Sequence, residues 1–165
     1  NSPDADYSAE LSAYLARLTE KDSSLVSDDR FKALLVKVGS DPAMIRSHFQ
    51  FFREVYFSRA YREAVKLDVN TPLGIAVIYD SLVHGNWPRL RNKTNEMLNG
   101  SPADGISEKE WIVQYLKNRI NWLDNHRYKV IQKTSWRPKA FLELAEYGNW
   151  NLLPPIKIKN IVINE

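Results

Sequence analysis

Cysteine is absent from the 165 residues, which excludes disulfides and thiolate metal sites. No uninterrupted apolar run reaches the ~18 residues that a membrane-spanning helix needs. The six glycines (Gly39, Gly74, Gly85, Gly100, Gly105 and Gly148) are scattered, so no glycine-rich loop can cradle a phosphate. The phosphate-loop, dinucleotide and nucleophile-elbow patterns are missing as well. His48, His84 and His126 stand far apart without the spacing of a zinc helix, and neither metal nor cofactor is expected. There is no excess of one charge sign: 23 basic against 20 acidic residues leave a formal +3, with a pI of about 9.1. That is a slight pull toward anionic partners and little more. No repeat and no low-complexity tract occurs. The chain opens NSPDADY without a methionine, which reads as a processing site or an edge of a longer protein, and residues 1 to 6 read as a frayed lead-in.

What is present is an ordinary apolar share, 44%, enough for one helical domain over residues 1–165. Its centre is residues 71–87, TPLGIAVIYDSLVHGNW. Thr71 is a good N-cap, and Pro72 suits the first helical position, where its missing N–H costs nothing. Leu73, Ile75, Ala76, Val77, Ile78, Tyr79, Leu82 and Val83 then surround the helix axis, the pattern of a buried helix. Gly85 is placed to end it at positive φ, and Asn86 to cap the next helix before Pro88. Asp80 is the single acid of this apolar run. An unpaired buried carboxylate is too costly to keep, so Asp80 requires cationic partners.

Around this helix the periodicity predicts others. Tyr7, Leu11, Tyr14, Leu15 and Leu18 share one face. Phe31, Leu34, Leu35 and Val38 share another, with Ser27 or Asp28 as cap and Gly39 as stop. The two read as an antiparallel pair. Asp41-Pro42 opens a third helix, whose stripe of Ile45, Phe49, Phe52 and Tyr56 reads as core. A break is expected near Phe57-Ser58, then a short helix to about Leu67. Asn86 to Leu98 is helical and charged. Ser107 and Glu110 have the spacing of a capping box before a helix carrying Ile112, Tyr115, Leu116, Arg119, Ile120 and Leu123 on one face. Arg137 to Tyr147 forms a further helix, stopped by Gly148. The tail IKIKNIVIN alternates like a strand or hairpin arm.

Three features stand out. Asp80 and His84 lie one turn apart on one face. Arg119 sits on an apolar stripe, an odd place for an arginine. Thr134-Ser135-Trp136-Arg137 enters a helix from a stretch with no acid between Asp124 and Glu143 but with Arg127, Lys129, Lys133, Arg137 and Lys139. Each has a structural reading beside the functional one. Asp80 is a salt bridge between helices, or part of a site. Arg119 pairs with it, or runs its stem along the core and wets its head. His84 is a cation at a helix C-terminus, or a ligand contact. The basic run is a solvated face, or a strip for nucleic acid with Trp136 as a stacking platform. A net +3 is small for that last role. Glu10, Glu20, Glu54, Glu63, Glu108 and Glu110 read as ordinary helix-surface acids.

At these residues the chain resembles the chitosanases of glycoside hydrolase family 46, in the lysozyme-like superfamily. The likeness rests on Tyr79-Asp80-Ser81-Leu82-Val83-His84-Gly85, on the helix from Glu110-Trp111 to Arg119, and on Thr134-Ser135 with Arg137 and Phe141-Leu142. It continues through Gly148-Asn149-Trp150-Asn151-Leu152-Leu153-Pro154-Pro155-Ile156 and the closing Ile161-Val162-Ile163-Asn164. In order, these motifs span most of residues 41–165. The resemblance implies a mainly α fold, the large helical lobe of a two-lobed hydrolase with a short C-terminal β arm. It implies inverting hydrolysis of a β-1,4-linked amino-sugar polymer by a general-acid Glu and a general-base Asp. It also implies that Asp80, Arg119 and Arg137 form the network that holds the acid.

In the family both catalytic carboxylates lie near the N-terminus, one on the first long helix and one in a glycine-rich turn. Neither segment is recognisable here, so no catalytic residue is assigned within the chain, which is expected to be the large lobe without its acid–base half. His84, Trp87 and Trp136 are the expected substrate contacts. Trp122 is a further candidate, although a tryptophan at helical spacing is more often core. The expected partner is a polysaccharide, either chitosan or an anionic peptidoglycan-like glycan. The second suits a basic lobe better. No nucleic-acid or membrane partner, a monomer, and secretion (from the resemblance) complete the expectation. A non-catalytic glycan-binding module is the main alternative, and a nucleic-acid binder the lesser one.

Overall fold

The computed structural model describes residues 5–164, so part of the expected lead-in, residues 1–4, lies outside the described residues. The sequence reads as one domain, whereas the structure divides at Val55/Tyr56 into two compact units.

In the first unit the expected helix over 7–18 is two short ones, α1 (Ser8–Ser12) and α2 (Leu15–Thr19). The Ser12 hydroxyl donates to the Ser8 carbonyl at 2.7 Å, offering the backbone an alternative to helix where the two segments part. A 3-10 turn, Ser23–Ser27, precedes α3 (Asp29–Val38). Asp28 caps α3 by accepting from the Phe31 amide at 3.0 Å, and Gly39 follows its end. Arg17 ties the turn together, reaching Asp22 at 2.8 Å and Asp28 at 2.9 Å. The Ser24 hydroxyl and Arg17 hold the Asp22 carboxyl at a pKa of about 2. Tyr14 packs on Phe31 with ring centroids 4.8 Å apart. Asp41, nearly buried, caps α4 (Pro42–Phe51) through the Ala43 amide at 2.8 Å and also accepts from the Asp6 amide at 3.0 Å.

The expected break after α4 is instead a π-helical turn, Phe52–Phe57, leading directly into α5 (Ser58–Leu67). The aromatic stripe here is not core. Phe49 is 71% exposed and Ile45 40%, while Phe52 and Tyr56 are only half-buried. Helical periodicity identifies an apolar face but not whether anything covers it.

The second unit is built on α6 (Pro72–His84), with Leu73, Val77 and Ile78 fully buried. Alanines at 60 and 64 give α5 a smooth face in the core cluster it shares with Val77 and Ile78. The helices α7 (Trp87–Leu98) and α8 (Glu108–Asp124) bring Leu90, Ile112, Tyr115 and Leu116 to that core. Trp87, Trp111 and Tyr115 form a nest of rings with centroids 5.1 to 6.2 Å apart. Their buried indoles are satisfied: Trp87 donates to Glu63 at 2.9 Å and Trp111 to Asn95 at 2.8 Å. Glu63 also accepts from Arg91 at 3.0 Å, so it is a structural acceptor and not an ordinary surface acid.

After the single turn α9 (Lys129–Gln132), α10 (Trp136–Glu146) joins α6 through Leu144, Ala145 and Leu73. The tail forms a hairpin of β1 (Ile156–Ile158) and β2 (Ile161–Ile163), antiparallel with Ile156 opposite Ile163. Ile156 and Ile158 turn to the helices.

The expected capping box at Ser107 does not form, since the Ser107 side chain makes no cap bond. The box lies upstream, where Asp104 accepts from the Ser101 amide and hydroxyl at 2.9 and 2.7 Å. Glu108 reaches away instead to the start of α6. It accepts from the Asn70 and Thr71 amides, each at 3.0 Å, and from the Thr71 hydroxyl at 2.5 Å. Thr71 in turn caps α6 by accepting from the Gly74 amide at 3.1 Å.

A carboxylate that collects three donors at a helix start is worth more than a surface acid. Glu108→Ala is expected to lower the unfolding free energy by about 2 kcal/mol, and Thr71→Ala by about 1 kcal/mol. Urea denaturation followed by circular dichroism checks both. Equal stability for Glu108→Ala and wild type would remove Glu108 from this role.

Candidate functional site

Three helices of the second unit converge on one carboxylate. Asp80 is on the buried middle of α6, Arg119 on the inward stripe of α8, and Arg137 in the first turn of α10. Asp80 is 5% exposed, so it is withdrawn from water and held by charge. Arg137 donates through Nε to Asp80 Oδ1 at 2.7 Å and through Nη2 to the same oxygen. Both bonds fall on Oδ1, which leaves Oδ2 facing Arg119 Nη2 at 3.9 Å. That distance is Coulombic contact, not a hydrogen bond.

Arg119 does not run its head out to water. It is 2% exposed, and its Nη1 donates to the Gly85 carbonyl at 3.1 Å, just past the end of α6. Its Nε has no hydrogen-bond partner among the described residues. Gly85 holds φ 82 and ψ 173, a conformation open to glycine and strained for other residues. That turn aims its carbonyl at Arg119, and nothing in the sequence alone signals it.

His84 is the fourth member, with Nε2 at 4.0 Å from Asp80 Oδ1 and its side chain 37% exposed. Burial, then the charges of Arg137 and Arg119, lower its pKa, against the opposing pull of Asp80. Burial and then the Asp80 charge raise the Tyr79 phenol, and burial above all raises that of Tyr115, one turn before Arg119. With His84 neutral, one carboxylate faces two guanidiniums, and the cluster carries one uncompensated positive charge. Arg137 remains 34% exposed, so this charge is reachable from solvent. The site can therefore receive one more anionic group.

The tryptophans divide differently from the expectation. Trp87 is 1% exposed and bonded to Glu63, so it has no free ring face to offer a sugar. This corrects its assignment as a substrate contact. Packing decides that α7 lays it inward on Trp111 and Tyr115. Trp122 packs at the core edge and meets His126 edge-on at 5.1 Å. Trp136 is half-buried, with the Arg137 guanidinium carbon 5.5 Å from its ring centroid and Lys159 Nζ at 4.0 Å. Within the basic run, Arg137 is spent on Asp80 and Lys139 on Asp124 at 3.0 Å. Among the described residues no group of three His, Cys, Asp or Glu could hold a metal ion, and no helix is long and apolar enough to cross a membrane.

Comparison with known proteins gives the family and the fold. The sequence model of glycosyl hydrolase family 46 matches residues 3–156. A chitosanase of Bacillus subtilis (strain 168) is 28% identical over 149 residues, covering 83% of this chain and 49% of the relative. The chain thus spans about half the length of that curated relative. Among solved structures, the native chitosanase from Bacillus subtilis MY002 superposes with a TM-score of 0.82 at 24% identity, covering 99% of this chain and 74% of that one. A variant of that enzyme complexed with 6 GlcN gives 0.81 at 24%, with the same coverage. A chitosanase from Gynuella sunshinyii in complex with chitotetraose gives 0.79 at 23%, covering 93% and 70%. These superpositions show the mainly helical fold with its short C-terminal hairpin.

Two predictions follow from the charge arrangement. Asp80→Asn leaves two arginines without their counter-charge, one of them fully buried, and is expected to cost about 3 kcal/mol of stability. Chemical denaturation reads this, and an unchanged midpoint would show that the carboxylate does not hold the helices. The lowered pKa of His84 means that the unfolded chain takes up this proton first as pH falls through ~6.5. Stability present above that pH therefore declines below it. His84→Gln is expected to flatten the fall in melting temperature between about pH 7 and pH 5, measured by calorimetry.

Proposed function

The chain belongs to glycosyl hydrolase family 46, and from that premise we propose that it supplies the large-lobe wall of a chitosan-hydrolysing site. The polymer is β-1,4-linked and rich in amino sugars, and its glycosidic bond is cut with inversion. In this reading Asp80, Arg119 and Arg137 are positioning residues. They steady a general-acid carboxylate that is not among the residues assigned here, and His84 lines the substrate side.

The observation that carries the proposal is the single excess positive charge of the Asp80 cluster. Here Arg119 retains an unpartnered Nε and only a long contact to Asp80, while Arg137 stays a third open. An incoming carboxylate would meet two guanidiniums already fixed by Gly85 and Asp80. Their charge would favour its ionised form, and a proton donor so placed must lose some of that stabilisation to distance or to a neighbouring apolar wall. An inverting pair requires two carboxyls about 6.5–9.5 Å apart around a water. In the described site Asp80 is the sole carboxylate, and its Oδ1 is fully engaged by Arg137, so it is unsuited to act as the base.

The test compares this chain with the same chain extended at its N-terminus by the catalytic segment of a family relative. Release of glucosamine oligomers from chitosan, with the product anomer followed by proton NMR, is expected from the extended form only. In that form Asp80→Asn is expected to lower kcat by roughly 100-fold with KM little changed, as befits loss of an interaction made in the transition state. Hydrolysis by the 165-residue chain alone would place the acid–base pair inside it and overturn the assignment. Binding without hydrolysis by either form would favour a glycan-binding module instead.

A further inference from the structure

A concavity of the second unit lies on the opposite flank of α10 from Phe141, between that helix and the hairpin. It encloses about 700 Å³. Its helical wall follows the i, i+3, i+7, i+11 positions Trp136, Lys139, Glu143 and Tyr147. Its other wall is the outward face of β1, where the alternation that turns Ile156 and Ile158 to the core puts Lys157, and Lys159 beyond it, into the groove.

We propose that this groove binds an anionic carbohydrate, a sugar ring bearing a carboxylate or phosphate. Three observations carry this. First, the cations are available: Lys139 is paired with Asp124, but no carboxylate among the described residues lies within salt-bridge distance of Lys157 or Lys159. Second, Tyr147 is 86% exposed at the mouth, a flat ring with no covering on the described chain, and a sugar face stacks on such a ring. Third, Lys159 Nζ rests 4.0 Å from the Trp136 ring centroid. The lysine that would meet an anion is thereby held at the groove wall by a cation–π contact, not waving in solvent. Glu143 is the acid of the lining. It suits a sugar hydroxyl, which donates to it, and it opposes a ligand that is uniformly anionic.

The preference is opposite in sign to that of a glucosamine polymer, whose ammonium groups would meet Lys157 and Lys159 unfavourably. The groove's ligand therefore differs in charge from a glucosamine chain, and Trp136 on its wall also lies 5.5 Å from the Arg137 guanidinium carbon. The groove does not depend on the hydrolytic proposal, because its readout is binding alone.

The experiment titrates the full chain with oligogalacturonate, with neutral cello-oligosaccharide and with glucosamine oligomers, by calorimetry and by NMR of the Trp136 indole and the tyrosine rings. Oligogalacturonate is expected to bind saturably, to shift the Trp136 signal and to weaken as salt rises, whereas the other two leave that signal unchanged. The double variant Lys157→Gln/Lys159→Gln, with its fold confirmed by circular dichroism, is expected to weaken binding at least tenfold, and Tyr147→Ala several-fold. Absence of saturable binding, or binding that ignores both variants, overturns the proposal. So does equal competition by single-stranded DNA, which would reduce the groove to general attraction for polyanions. The NMR shifts of the wild type decide the matter even if a variant fails to fold.

Discussion

A carboxylate cannot stay ionised in an apolar interior without nearby positive charge, and this constraint organises the second unit. Asp80 lies on the most apolar helix of the chain and is almost fully withdrawn from water. Its partners come from two other helices, so the charge requirement fixes how α8 and α10 meet α6. Arg137 supplies the hydrogen bonds, and Arg119 supplies field. The Gly85 carbonyl holds Arg119 in place, which ties the end of α6 to the same cluster. Net stability from such an arrangement is small, because desolvation offsets most of the attraction.

The same arrangement explains why a structural salt bridge and a functional site need not be rival readings. Two guanidiniums against one carboxylate leave a positive potential at a partly open surface, and His84 at its edge is biased toward the neutral form first by burial and then by that potential. A potential of this kind is fixed before any partner arrives, so it costs no reorganisation when one does. The rest of the unit serves to keep it fixed. The ring nest packs Trp87 of α7 on Trp111 and Tyr115 of Arg119's own helix, and the Glu108 carboxylate pins the start of α6.

Residues that look alike in sequence diverge here because packing, not identity, sets their environment. Phe49 and Trp87 both sit at helical spacing among apolar neighbours. Phe49 ends 71% exposed and Trp87 1%. Glu63, Glu108 and Glu110 all read as surface acids, yet Glu63 closes two buried or half-buried donors and Glu108 caps a helix 37 residues away in sequence. Ser107 has the right spacing for a cap, yet its side chain makes no cap bond. These outcomes depend on contacts between distant segments, which local patterns do not encode.

By itself the sequence determined what is local or nearly so. Thr71, Pro72 and Gly85 bound α6 because capping and backbone freedom act within a few residues, and Asp28 and Asp41 start their helices for the same reason. The alternation of residues 156–164 marked a strand or hairpin arm, and the structure folds it into a hairpin. The need of Asp80 for cations was legible too, because an acid inside an apolar run has no other way to persist. The tertiary structure decided which partners it took, how unequally they share it, and which aromatic rings face water. Those depend on the crossing of helices far apart in the chain, where burial and distance, not residue type, fix the energy of each contact.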